Sequence, residues 1–136
     1  MTEETGDRSP DWKGYGWDQI EVERLIRFIW GDKSMDSPHE RGIRVQEEAT
    51  ELGQAVGVTR AEAHKIVDMV HDKAVGELKH EVAGVAFTLL GMCALQGIRL
   101  DDVFVAEITR FKAKDPAHFR HKQRIKADLG LSIRPE

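Results

Sequence analysis

The chain has 136 residues, of which 40% are hydrophobic and 32% are charged, and its net charge of −4 accompanies a composition typical of a soluble globular protein with one domain. The single cysteine, Cys93, lies in an apolar run, so it excludes a disulfide framework and is expected in the core. No apolar run approaches the length needed to span a membrane, and the acidic first residues are unlike a signal peptide, so we expect a cytoplasmic protein without membrane contact.

Helical periodicity dominates the sequence after a polar beginning. Residues 1–16 are expected to form a flexible N-terminal arm, and the apolar spacing from Asp18 to Gly31 predicts the first helix. Further helices are predicted at 38–56, 59–72, 77–96, 101–114 and 116–129. No stretch shows a convincing strand pattern. We therefore predict an all-α fold, a bundle of four to five helices, with a main helical domain at 17–115 and a basic C-terminal helix and tail at 116–136.

Capping signals locate several of the predicted helix ends. Ser37 with Glu40, and Thr59 with Glu62, have the spacing of a capping box, in which a hydroxyl group and a carboxylate satisfy backbone N–H groups at the start of a helix. Gly97 follows the long apolar helix and is expected to end it, because glycine readily adopts the left-handed conformation found there.

The long apolar helix contains two glycines seven residues apart, Gly84 and Gly91, with Thr88 between them on the same face. Each glycine costs roughly 1 kcal/mol of helix propensity relative to alanine. A close contact with another helix, or room for a ligand, must offset that cost. We expect the helix contact.

The stretch VQEEATELGQ, residues 45–54, places three glutamates within five positions of a predicted amphipathic helix. Glu48 and Glu51 are three residues apart and therefore share a face, while Glu47 neighbours Glu51 on a rotated row. Like charges at this spacing destabilise a helix slightly. Either the acidic face is simply solvated, or a cation lies against it.

The next long helix supplies a further carboxylate, Glu81, which lies where the pattern becomes strongly apolar. If the two helices pack antiparallel, Glu48, Glu51 and Glu81 converge, and three such carboxylates would not all stay ionised without a cation. Oxygen ligands of this kind suit Mg²⁺, with Mn²⁺ as a substitute, rather than zinc. The alternative is that Glu47 and Glu48 are solvated and that Glu81 pairs with an arginine such as Arg44.

The C-terminal part of the chain is basic. From Thr109 onward there are eight Lys or Arg residues against three acidic ones, so this part carries +5 and the preceding residues carry −9. The distribution suits a protein that holds a cation in one place and phosphate oxygens in another, but a tail that neutralises its own body would also produce it. No DNA- or RNA-reading motif is recognised in the basic part, so we do not expect nucleic acid as a partner.

Several motifs resemble, in order, those of the MazG-like nucleoside triphosphate pyrophosphohydrolases, an all-α family. The segment EEATE at 47–51 matches their Glu-Glu-x-x-Glu motif. It is followed by the long helix HEVAGVAFTLLGMCALQGI and then by RLDDVFVAEITRFKAK, which looks like the closing helix of the family. The resemblance covers residues 20–115.

The resemblance implies a Mg²⁺-dependent hydrolase that splits a (d)NTP substrate into the monophosphate and pyrophosphate. It assigns Glu48, Glu51 and Glu81 as metal ligands, and Glu47 as the residue that positions or activates the attacking water. The side chains that would hold phosphate oxygens are Lys112, Arg110 and Lys114. It also implies a homodimer or homotetramer, which the wide apolar stripes of the first and the long helix favour as well.

The second motif of the family is incomplete in this sequence. It reads Glu-x-x-Asp in the family, whereas Glu81 is followed here by Val-Ala-Gly84. Water could take the vacant place, since Mg²⁺ usually keeps several waters, or Glu77, Asp101 or Asp102 could approach. A catalytically weakened or inactive module that binds a nucleotide or a protein partner is therefore the alternative function.

Overall fold

The computed structural model describes residues 19–135, and the regular elements in this range are all α-helices, so the predicted all-α class is confirmed. The predicted N-terminal arm at 1–16 lies outside the described residues. The helices of the described range, in chain order, are α1 (Gln19–Trp30), α2 (Asp32–Met35), α3 (Pro38–Ala55), α4 (Arg60–His71), α5 (Leu78–Gln96), α6 (Leu100–Ala113) and α7 (Pro116–Asp128).

The predicted helices are all present, and α2 is an additional short helix in a stretch predicted to be a loop. Gly31 separates α1 from α2 and adopts a φ of 98°, which residues with a side chain rarely adopt. This glycine therefore allows one helix to end and the next to begin across a single residue.

Hydrogen bonds from side chains fix the starts of α3 and α4. Thr59 and Glu62 form the predicted capping box: Glu62 N donates to Thr59 Oγ1 at 3.1 Å, and Thr59 N donates to Glu62 Oε1 at 2.9 Å. At α3 one half of the predicted box is seen, since Glu40 N donates to Ser37 Oγ at 3.1 Å. The Glu40 carboxylate is instead buried, where it accepts hydrogen bonds from Ser34 and from Ser132 in the C-terminal segment.

The helix α5 begins and ends at defined caps. The Glu77 carboxylate accepts hydrogen bonds from Lys79 N at 3.1 Å and from His80 N at 2.9 Å. At the other end, Gly97 takes the left-handed conformation with a φ of 68°, as predicted for a glycine that ends a helix. The Glu77 carboxylate is therefore used by the helix itself.

Contacts divide the chain into two compact units. Of the described residues, the first contains 19–43 together with 98–135, and the second is Arg44–Gly97. In the first unit α1 packs against α2, α6 and α7. The first helix is therefore the element around which this unit is organised.

Three aromatic rings form the centre of the first unit. Trp30 on α1, Phe111 on α6 and Phe119 on α7 have ring centroids 5.0 to 5.6 Å apart, at the tilted and edge-on angles that aromatic pairs prefer. Ile29 beside them is 1% exposed, and its carbonyl oxygen accepts a hydrogen bond from Arg120 Nε at 2.9 Å. The basic helix α7 thus contributes both to this core and to the capping of α1.

A buried carboxylate joins the C-terminal segment to the start of α3. Glu40 is 3% exposed, and its oxygens accept hydrogen bonds from Ser132 Oγ at 2.8 Å, Ile133 N at 3.1 Å and Ser34 Oγ at 3.3 Å. The guanidinium group of Arg41 lies 3.8 Å away. Three donors and a nearby cation offset the hydration that a charged group loses on burial.

The second unit exposes most of its large apolar side chains. On α5, Leu78, Phe87 and Leu95 are 76%, 79% and 81% exposed, whereas Cys93 is buried, as expected. By length and composition alone, α5, with 19 residues and a mean hydropathy of 1.3, could cross a membrane, so the expectation that no apolar run approaches this length was wrong. The apolar surface of this unit is therefore much less covered than that of the first.

Replacement of Glu40 by alanine is expected to lower the free energy of unfolding of the first unit by about 3 kcal/mol, because three donors lose their acceptor inside the protein. Ser132→Ala removes one of these hydrogen bonds and should cost about 1 kcal/mol. Urea unfolding followed by circular dichroism measures both changes. A smaller loss in Glu40→Ala than in Ser132→Ala would contradict the central role of this carboxylate.

Candidate functional site

The Glu-Glu-x-x-Glu segment lies on α3, in the part of the helix that belongs to the second unit. Glu48 and Glu51 are exposed. Glu47 is half-buried, and its carboxylate accepts a hydrogen bond from Arg44 Nη1 at 2.8 Å. Arg44 therefore pairs with Glu47, one turn along the same helix, and restrains that carboxylate. The sequence had offered Arg44 as a partner for Glu81 instead.

The fourth carboxylate of the predicted site, Glu81, lies in the first turn of α5. Its carboxylate folds over Gly76 in the preceding loop, where a side chain on residue 76 would collide with it. An acidic group in the first turn is favoured by the partial positive charge at a helix N-terminus. Glycine at position 76 therefore gives Glu81 room at this end of the helix.

The predicted metal ligands do not form a metal site within one chain as observed. Among residues 19–135, no three His, Cys, Asp or Glu side chains are placed to share one ion, so Glu48, Glu51 and Glu81 do not form such a group. Magnesium requires near-octahedral oxygen ligation at about 2.0–2.1 Å. This arrangement does not fit the cation, and the assignment of these residues as ligands stays a prediction.

Position 84, where the resemblance places an aspartate ligand, is open. A Cβ atom on Gly84 would meet no other atom within 4 Å. Among the possible substitutes, Asp101 and Asp102 lie 3.9 and 3.5 Å from the guanidinium group of Arg99, and Glu77 caps α5. Each of these carboxylates already interacts with a partner that would compete with a metal ion.

The basic residues assigned to phosphate binding lie at the C-terminal end of α6, in the first unit. Lys112 Nζ contacts the carboxylate of Glu21 on α1. Arg110 donates two hydrogen bonds of 2.9 Å to Glu107, and this contact holds the pKa of the Glu107 carboxyl group below its usual value. Lys114 follows α6 as its C-cap residue. A phosphate would therefore compete with a carboxylate at both Lys112 and Arg110.

An open groove of about 420 Å³ lies beside Lys112. Arg24 supplies a second positive charge to its lining, and Phe28, which is 67% exposed, supplies an aromatic face. Cations together with an aromatic face suit a ligand that carries both phosphate and a planar ring. Sequence reasoning missed Arg24, because its place beside Lys112 depends on how α1 packs against α6. The lining residues are Glu21, Arg24, Leu25, Phe28 and Lys112.

Positive charges also surround His118 on α7. Desolvation, followed by the charges of Lys114 and Lys122, lowers the pKa of the His118 imidazole below its ordinary value of 6.5. Arg110 and His121 act in the same direction. The end of α6 and this side of α7 therefore share a positive potential that would attract an anion.

Comparisons with known proteins bring no match, because no family model, no curated protein and no solved structure is similar enough to this chain. The resemblance to the MazG-like pyrophosphohydrolases therefore rests on the motif residues themselves. It stays a prediction, whereas the all-α class is observed.

The substitution Lys122→Gln is expected to raise the pKa of His118, because it removes one of the charges that lower it. Since the folded chain binds this proton less tightly than the unfolded chain, His118 reduces stability as the pH falls through about 6.5, and the loss levels off below the folded-state pKa. The variant should lose less stability over that range. NMR titration of the imidazole ring measures the pKa, and an unchanged value would contradict the shared positive potential.

Proposed function

We propose that this chain is a Mg²⁺-dependent nucleoside triphosphate pyrophosphohydrolase, which converts a (d)NTP and water into the (d)NMP and pyrophosphate, with Mn²⁺ as a substitute cation. The observation that carries the proposal is the Glu-Glu-x-x-Glu segment on α3, with Glu48 and Glu51 exposed on that helix. A further carboxylate, Glu81, lies in the first turn of the long helix α5, where the motif order of the family places one.

Two features of the chain's own residues support a phosphate-bearing substrate. Lys112 and Arg24 line one groove and could donate charge-assisted hydrogen bonds to phosphate oxygens. Glu47 is restrained by Arg44, and a carboxylate of restrained orientation suits a residue that positions a water molecule. The substrate class is therefore a nucleotide in which phosphate supplies most of the charge.

The proposal requires a divalent cation, but the described residues of one chain do not form a site for it in the observed structure. Glu48, Glu51 and Glu81 are not grouped around a common point among the described residues. The requirement for a cation is therefore the feature that an activity assay should examine first.

A catalytically weakened or inactive module that binds a nucleotide or a protein partner is the second candidate. The observation that favours it is Gly84, which stands where the family motif has an aspartate and has open space around it. Removal of one carboxylate ligand lowers the negative charge available to a metal ion, while the basic groove would still bind phosphate. Nucleotide binding that is indifferent to Mg²⁺ and Mn²⁺, without turnover, would support this candidate.

Pyrophosphate release from a panel of NTPs and dNTPs is expected with Mg²⁺ or Mn²⁺ and is expected to disappear with EDTA. Glu48→Gln and Glu51→Gln should each abolish release, because each removes a charged ligand while the fold is kept or slightly stabilised by relief of repulsion. Asp68→Asn is the matched control, since Asp68 is an exposed carboxylate on α4 outside the motif.

The control variant should retain the full rate, and circular dichroism should show the same helix content in all three variants. Activity that survives both glutamine substitutions would exclude the proposed role of the acidic segment. Silence of the folded wild-type chain with every nucleotide and both cations would favour the binding module.

A further inference from the structure

The end of α6 and the exposed side of α7 carry a group of positive and titratable side chains, which we call the α7 cluster. Its members are Arg110, Lys114, His118, His121 and Lys122. On α7, His118 is three residues from His121 and four from Lys122, so these side chains lie on one face of the helix, and all three are exposed. Lys114, which is also exposed, ends α6 just before α7 begins. The cluster lies entirely within the first unit.

The buried ring of Phe119 brings two members of the cluster to the same place. The imidazole ring of His118 lies edge-on to this ring, with centroids 5.1 Å apart. The guanidinium carbon of Arg110 lies 5.8 Å from the centroid of the same ring and 4.6 Å from that of Phe111. Because both phenylalanines belong to the aromatic centre of the first unit, its packing positions the two groups.

Few carboxylates neutralise the α7 cluster. Glu107 pairs with Arg110, and Asp115 caps α7, where it accepts a hydrogen bond from Ala117 N at 2.9 Å. Within the described part of the chain, no salt bridge joins a carboxylate to the other four members of the cluster. The positive charge of this surface is therefore available to an anion from solution.

His118 connects the α7 cluster to pH. Desolvation, followed by the charges of the other four members, lowers the pKa of its imidazole below the ordinary value of 6.5. α7 also packs against α1, where the cation of Arg27 is engaged by carboxylates of its own. These carboxylates belong to Glu23, Asp32 and Asp36. An anion bound at the cluster would stabilise the imidazolium form and raise the pKa of His118 again.

We propose that the α7 cluster binds a compact polyphosphate anion, of which pyrophosphate is the simplest, and that it binds this anion more tightly as His118 becomes protonated. The cations are grouped around one imidazole ring, so they suit an anion that concentrates several charges in a few atoms. Phosphate oxygens accept charge-assisted hydrogen bonds from lysine and imidazolium groups. Phe119 is only 4% exposed and offers no face on which a base could stack, so the ligand requires no base.

The α7 cluster is separate from the groove beside Lys112. Arg110 and Lys112 are two residues apart on α6, and residues at that spacing do not share a face of a helix. The second cation of the groove, Arg24, lies on α1. The basic residues that the resemblance assigns to phosphate binding are therefore divided between two surfaces. No member of the cluster belongs to the acidic segment, so the proposal does not depend on hydrolysis or on a metal ion.

Titration of the full chain with pyrophosphate in the presence of EDTA tests the proposal. NMR of the His118 imidazole is expected to show a saturable change and a raised pKa when pyrophosphate is bound. By calorimetry, Lys114→Gln and Lys122→Gln should each weaken binding about fivefold, the effect of losing one exposed charge pair. Lys33→Gln is the matched control, because Lys33 is exposed on α2 and is not a member of the cluster. This control should bind as the wild type does.

The variant His118→Gln tests the coupling to pH. Between pH 6 and pH 8 the dissociation constant of the wild type should rise about fivefold more than that of His118→Gln, because only the wild type loses an imidazolium donor. The titration of pyrophosphate itself is common to both proteins and cancels in this comparison. An equal pH dependence in the two proteins would overturn the proposal.

Three further results would also overturn it. The first is the absence of pyrophosphate binding by a chain that is folded by circular dichroism. The second is binding that Lys112→Gln abolishes and Lys122→Gln leaves unchanged, because the anion would then lie in the groove. The third is co-sedimentation with vesicles of phosphatidylcholine and phosphatidylserine without a response to pyrophosphate, because the cluster would then recognise lipid headgroups. Each measurement is made without turnover, so its failure is distinguishable from failure of the pyrophosphohydrolase activity.

Discussion

The stability of the second unit depends on how the exposed apolar surface of α5 is covered. An isolated helix is only marginally stable in water, and most helix stability in proteins comes from the packing of an apolar face. Glu81 lies in the first turn of α5, and Glu48 and Glu51 lie on α3. The predicted acidic site is therefore carried by helices that expose large apolar side chains among the described residues. Cover of this apolar surface would therefore stabilise the helices that carry the predicted acidic site.

The first unit is stabilised by contacts of its own, and its basic residues serve that structure as well as any ligand. The ring of Phe119 lies in the core, while the preceding His118 is exposed among cations on the same helix. Lys112 and Arg110 each contact a carboxylate of their own chain. When an anion binds here, the basic side chain exchanges its carboxylate partner for that anion. The gain in affinity therefore comes from the extra charge and the geometry of phosphate.

Local signals in the sequence predicted the helices well, because caps act within a few residues of the chain. Thr59 began a helix and Gly97 ended one, as their hydrogen bonding and conformational freedom indicate. The destination of the Glu40 carboxylate could not be predicted, since it depends on segments that are distant in sequence. The same holds for Arg24 beside Lys112. Whether the acidic residues converge could not be predicted either. Helical spacing determines on which face of its helix a residue lies, but not which element packs against that face.

Hydrogen exchange of the α5 amides, compared with that of the α1 amides, examines most directly how well the apolar surface of α5 is covered. If the large side chains of α5 are as exposed as observed, α5 exchanges faster than α1, because few packed apolar contacts oppose its local opening. Exchange in α5 that is as slow as in α1 would contradict this account.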